Sequence, residues 1–140
     1  MRYVTFIAFL LSACVTVSSN APFSLSYLTE DKPQDGKIYI SYFNQTKHDI
    51  CLDPIHWPNI QGELDNGKDR VFINVSGKRY AMADFNTGYC PGCQITAKTG
   101  STLSGFFKYS DFGLPVEDYF KEKVLTFSPI ATYCHSRHPR

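Results

Sequence analysis

Apolar residues in this chain recur at alternate positions in short blocks. Nowhere do they recur every third or fourth residue over a length that makes a sizeable helix. Phe23 to Leu28 (FSLSYL) alternates, and Lys37 to Thr46 (KIYISYFNQT) sets Ile38, Ile40 and Tyr42 on one face against Tyr39, Ser41 and Phe43. Val71 to Ala83 (VFINVSGKRYAMA) reads as a hairpin with Ser76 and Gly77 at the turn and Tyr80 and Met82 returning on a common face. Gln94 to Phe112 repeats that device, with Thr99 and Gly100 at the bend. A last strand, Lys123 to Cys134, contains Pro129, which cannot donate to a ladder and demotes that point to an edge or a bulge. Pro115 to Lys123 (PVEDYFKEK) has room for one or two helical turns or a surface loop. The aromatic and β-branched content of the blocks and the Gly, Pro, Asn and Asp between them predict an all-β fold. Six to eight short antiparallel strands packed as a two-sheet sandwich is the expected architecture.

The run ITAKTGSTLSGFFKYSDFGLP, residues 95–115, resembles the E to F strand region of bacterial immunoglobulin-like domains, where a Gly turn precedes a strand of alternating apolar residues. The resemblance implies an immunoglobulin-like β-sandwich over residues 23–134. It covers about a fifth of that domain and carries no function with it.

The N-terminus reads as an export signal. Met1 and Arg2 precede an apolar run, Tyr3 to Leu11, too short for the roughly 20 residues that span a bilayer. The run ends in Leu11-Ser12-Ala13-Cys14, which resembles the lipobox of bacterial lipoproteins. That resemblance implies cleavage after residue 13, lipidation of Cys14, a polar tether over residues 14–22, and, with Val15 next, a place in the outer membrane facing the periplasm. The alternative is a plain secretory signal cut near Ser19 to Ala21. Both put the domain outside the cytosol.

Removing residues 1–13 takes away Arg2 and no acid, leaving 13 basic and 13 acidic residues. A neutral domain offers no long-range field to nucleic acid, and contact with the membrane is expected through the lipid anchor only. The basic tail, residues 135–140, reads as a solvated terminus. About 120 residues suit one domain with one core.

Export bears directly on the cysteines. With Cys14 committed to lipid, Cys51, Cys90, Cys93 and Cys134 form an even set in an oxidising compartment, as a disulfide framework requires. Cys90-Pro91-Gly92-Cys93 has the C-x-x-C spacing of a redox centre, but a strand pattern follows it where a thioredoxin-type site places a helix. The same residues resemble a zinc knuckle, for which Cys51, Cys134, His48, His56 or His135 would have to complete the ligands. Among the three disulfide pairings, loop entropy favours Cys51–Cys90 with Cys93–Cys134: two loops of about 40 residues are worth roughly 4 kcal/mol each, against roughly 2 for the four-residue loop. Cys51–Cys93 with Cys90–Cys134 is almost equal, and geometry can overrule both.

No nucleophile elbow, phosphate loop, H-E-x-x-H or Ca²⁺ loop is present, and no cofactor or metal is implied. Asp111, Glu117 and Asp118 form no identifiable acid/base pair, and GELDNGKD, residues 62–69, reads as turn-forming sequence. Asn44-Gln45-Thr46 and Asn74-Val75-Ser76 are glycosylation sequons. Residues 53–69 form a long unpatterned loop, where binding residues tend to sit. The only tryptophan, Trp57, lies in it. It either folds back to cap the sandwich or stands out as an anchor for a partner, with His56 and Tyr89 as companions.

The expectation is a non-enzymatic envelope lipoprotein that binds another protein, of the kind that inhibits a toxin, lysozyme or protease. One rival is a structural accessory subunit docking through an edge strand such as residues 23–28 or the last strand. The other is a C-x-x-C thiol oxidoreductase.

Overall fold

The structure, a computed structural model, describes residues 21–88, 90 and 92–134. The expected export segment, Cys14, Tyr89 and the tail 135–140 lie outside the described residues. Among the described residues the fold is all-β and antiparallel, a sandwich as expected, with ten strands in three sheets. One sheet holds β1 (Phe23–Ser24), β10 (Ile130–Tyr133), β4 (Ile50–Leu52) and β7 (Ile95–Ala97), in that spatial order. A second orders β2 (Leu28–Lys32), β3 (Lys37–Phe43) and β8 (Thr102–Lys108). The third orders β6 (Lys78–Ala81), β5 (Val71–Val75) and β9 (Lys123–Phe127).

The count exceeds six to eight because two expected strands are each split between sheets. FSLSYL breaks after Ser24, and the last strand breaks at Pro129, with β9 before it and β10 after it. Pro129 contributes its carbonyl to Leu25 N–H at 2.9 Å, so the residue that cannot donate sits where the chain changes sheets. β10 is flanked by β1 and β4, so the half of the last strand beyond Pro129 is interior, while β9 is an edge. β4 is three wholly buried residues, too short to display alternation.

The hairpin at 71–83 forms as expected. Val75 pairs with Lys78, and Ser76 (φ 48°) and Gly77 (φ 80°) both take the left-handed conformation of a two-residue turn. The second expected hairpin does not form. Gly100 bends the chain at φ 72°, but β7 pairs with β4 while β8 pairs with β3. Asn44, fully buried, clamps this bend. Its Nδ2 donates to Ala97 O at 2.8 Å and His48 O at 2.9 Å, its Oδ1 accepts from Thr46, and its backbone bonds Ser101 and Gly100. The first sequon's amide is thus wholly engaged within the fold.

A single core takes side chains from every sheet. Ile38 and Ile40 of β3, Phe107 of β8, Val71, Ile73 and Val75 of β5, and Ile50 and Leu52 of β4 are all buried. Phe107 meets Phe127 of β9 edge-on at 5.2 Å, joining the second and third sheets. Burying each such side chain contributes about 1.5–3 kcal/mol. Residues 115–123 supply one 3₁₀ turn, Val116–Asp118, fastened by Tyr80 Oη donating to Asp118 at 2.9 Å and by Lys121 at 2.6 Å.

The preferred cysteine pairing is overturned. Cys51 bonds Cys134, and Cys90 bonds Cys93. Loop entropy ranks crosslinks by what they do to the unfolded chain, but strand neighbourhood decides which thiols meet. β4 lies beside β10 with Leu52 opposite Ala131 and Cys51 opposite Thr132. Cys134 N–H then donates to Asp49 O at 2.9 Å, which sets Cys134 diagonal to Cys51 with Cα atoms 5.0 Å apart. Cys90 and Cys93 lie on the exposed connection between β6 and β7 and close on each other across a turn in which Cys93 N–H donates to Cys90 O.

Candidate functional site

The loop at 53–69 is ordered by short-range bonds and laid along the outer edge of β8. Asp53 Oδ1 caps a 3₁₀ turn at Pro54–His56 by accepting from Ile55 N–H. Trp57 then turns inward: it is 2% exposed, and its Nε1 donates to Ser104 O at 3.2 Å. Gly105 permits this approach, since a Cβ there would stand 2.9 Å from Pro58 Cγ and 3.0 Å from Trp57 Nε1. Asn59 Oδ1 accepts from Gln61 and Glu63 N–H, folding the next turn, and Gly62 (φ 82°) lies against Phe106. Asp65 accepts from Thr87 N at 3.0 Å and Oγ1 at 2.5 Å, and Asp84 accepts from Lys68 N at 2.9 Å. GELDNGKD is therefore a clasp between two loops.

Between this loop and strands β3, β7 and β8 lies a cleft of about 680 Å³. Tyr39, Trp57, Pro58, Ile95, Leu103 and Phe106 wall it, and Ile60 stands at its lip, 88% exposed. Volume and apolar lining fall within the range of ligand-binding sites, which are commonly about 300–1,000 Å³. Asn59, Ser104 and the Tyr39 hydroxyl are its polar groups.

Trp57 is not an exposed anchor. The reading as a cap folded onto the sandwich is the one observed, with the indole also forming cleft wall. The reason is local: Pro54 and Pro58 bracket the segment, and the glycine at 105 leaves an indole-sized space on β8. His56 does not line the cleft. It packs on Arg70, whose Nη1 lies 3.0 Å from Nδ1, and burial first and then the guanidinium hold its pKa below the ordinary histidine value, against a smaller opposing pull from Asp53. Tyr89, the third expected binding residue, lies outside the described residues; of the other two, Trp57 lines the cleft and His56 does not.

The cleft residues that sequence reasoning missed left a signal. Tyr39 and Phe106 occupy outward positions in strands whose inward positions are Ile38, Ile40 and Phe107. An aromatic on the side of an alternation that faces water marks a surface that is covered or used.

The acidic residues singled out in the sequence are held by separate partners. Asp118 is kept below the usual carboxylate range by hydrogen bonds from Lys121 and Tyr80. Asp111 is pushed up by burial, opposed by Lys108 at 3.7 Å, and its Oδ2 is buried without a hydrogen bond among the described residues. Tyr109 donates to Asp31, which also pairs with Lys123 at 3.0 Å; burial and then that carboxylate raise the phenol well above its ordinary value. Among the described residues, no three His, Cys, Asp or Glu side chains converge as a metal site needs.

Comparison with protein-family models, with characterised proteins and with solved structures finds no match to this chain.

Proposed function

We propose that this chain is a non-enzymatic lipoprotein of the cell envelope that binds another protein through the cleft beside β8. Export and anchoring rest on the signal-like N-terminus and the lipobox-like Leu11 to Cys14. The observation that carries binding is the cleft itself: an apolar depression with an exposed isoleucine at its lip, on a scaffold closed by two disulfides. Such a rigid surface suits an inhibitor or immunity protein, which needs an interface of about 800 Å² per partner with an apolar anchor at its centre. The test is a photo-crosslinking residue at Ile60 in intact cells, with the same residue at exposed Val124 of β9 as the control. A protein adduct specific to position 60, lost when the unaltered chain is added as competitor and kept when the Ile60→Asp chain is added instead, supports the reading. Equal labelling at both positions refutes it.

One observation favours a second reading, thiol–disulfide exchange. The C-x-x-C motif closes on itself, and both its cysteines are exposed. A redox titration followed by alkylation separates the two readings: a Cys90–Cys93 couple that equilibrates with glutathione at envelope potentials supports exchange, and one that resists reduction removes it.

A further inference from the structure

On β3, Lys37, Tyr39 and Ser41 share the outward face, opposite buried Ile38 and Ile40; on β8, Ser104, Phe106 and Lys108 do the same, opposite buried Phe107. Register sets Lys37 directly between Lys32 of β2 and Lys108 of β8, and sets Tyr39 opposite Phe106, their rings 5.9 Å apart. The outer face of this sheet therefore carries a row of three lysines above a pair of aromatic rings. Those rings are the ones that wall the cleft.

Like charges placed directly opposite one another across a sheet repel, so the row opposes folding unless something answers it. Lys32 is answered by Glu30 at 3.3 Å, and Lys108 reaches Asp111 at 3.7 Å. Lys37 meets no carboxylate within 4 Å among the described residues. Its ammonium instead lies 4.4 Å from the centroid of Phe106, and the Lys32 ammonium lies 5.1 Å from that of Tyr39. The apolar cleft and a lysine with no carboxylate partner among the described residues thus share the Phe106 ring.

Resting on the reading of the cleft as a protein-binding site, we infer that the partner's docking segment is both apolar and acidic. An apolar side chain enters the cleft, and a carboxylate from a neighbouring residue answers Lys37. In an extended segment the residue two positions along returns to the same side about 7 Å away, which sets the pattern as an apolar residue with Asp or Glu two positions from it.

The probes are three acetylated, amidated pentapeptides with a central phenylalanine and glycine on either side, ending in Glu, Ser or Lys at both termini, together with dodecanoate. Each is titrated against the full chain in phosphatidylcholine vesicles, and against Ile60→Asp, Lys37→Gln and Lys37→Glu. The Glu-ended peptide is expected to bind about fivefold more tightly than the Lys-ended one at low salt. Lys37→Gln should erase that preference, Lys37→Glu should invert it, and high salt should compress it. Ile60→Asp should weaken all three peptides. If the peptides bind equally whatever their ends and whatever stands at 37, the acidic partner is refuted while the cleft stands. If Ile60→Asp changes nothing, the cleft reading itself fails. If dodecanoate saturates the site and the Glu-ended peptide does not bind, the occupant is an amphiphile and the inference is overturned.

Discussion

The two disulfides close loops of very different length, and the consequence for stability is measurable. Cys51 and Cys134 are 83 residues apart, which in the chain-entropy treatment removes about 4.5 kcal/mol of unfolded-state freedom; Cys90 and Cys93 are 3 apart, for about 2 kcal/mol. Packing widens the gap. Cys51 is 4% exposed within β4, so replacing it also removes core contacts, whereas Cys90 and Cys93 are exposed and their loss leaves no cavity. Paired replacements, Cys51→Ala with Cys134→Ala and Cys90→Ala with Cys93→Ala, are compared by urea and thermal unfolding without reductant. Trp57, the only tryptophan and buried, reports the transition by its fluorescence. The first pair should lose at least twice the stability of the second, a Tm drop of about 20 °C against about 8 °C for a domain this size. Non-reducing peptide maps of the unaltered chain should join residue 51 to residue 134. A map joining Cys51 to Cys90 or Cys93, or equal losses in the two variants, would refute the strand-neighbour argument and restore the entropic one.

Trp57→Ala should cost about 3–5 kcal/mol in urea unfolding, because it empties a buried indole site; a stable variant defective only in binding would return the residue to the surface. Asn44→Ala should cost about 2–4 kcal/mol by the same assay, since several partners of a fully buried amide are left unpaired at the bend between β7 and β8. Asp111→Asn should stabilise the protein at neutral pH. The folded carboxyl has a raised pKa, so wild-type stability falls as pH climbs from the unfolded carboxylate value through the folded one, and the advantage of the amide should vanish in acid. Asp118→Asn should show the opposite sign: the wild-type advantage is present above the unfolded carboxylate value and is lost as pH falls through the depressed folded pKa, read as convergence of the two unfolding midpoints in acid.

What the sequence displayed was whatever is local. Residues 71–83 announced both strands and the turn because alternation and a Ser-Gly pair with positive φ lie within one window. The bend at Gly100 was equally visible, but a turn signal does not say which neighbours its arms will take, and here the arms join different sheets. β4 escaped notice because three buried residues carry no period. The cysteine pairing escaped for the same reason as the arms of the bend, since it follows from β4 lying beside β10. For the site, the loop at 53–69 stood out by its length, whereas Tyr39 and Phe106 were passed over although they alternate with buried neighbours, and the fit of Trp57 over Gly105 joins positions 48 residues apart and leaves no sequence period.

The loop's position also constrains how a partner can dock. An unpaired strand edge is a template for strand addition, and β8 has one side free of β3. Trp57 Nε1 occupies the Ser104 carbonyl on that side, and Gly62 is pressed close to the Phe106 carbonyl, so a strand could be added there only by unseating a buried indole. Of the expected last strand, β10 is interior but β9 is an open edge of five residues, and β1 offers two residues, too few for a ladder. The edge of β2 is longer but carries Glu30, Asp31 and Lys32, the charged dressing that blunts edge-to-edge pairing. Side-chain insertion into the cleft therefore needs no rearrangement at β8, whereas main-chain addition there does.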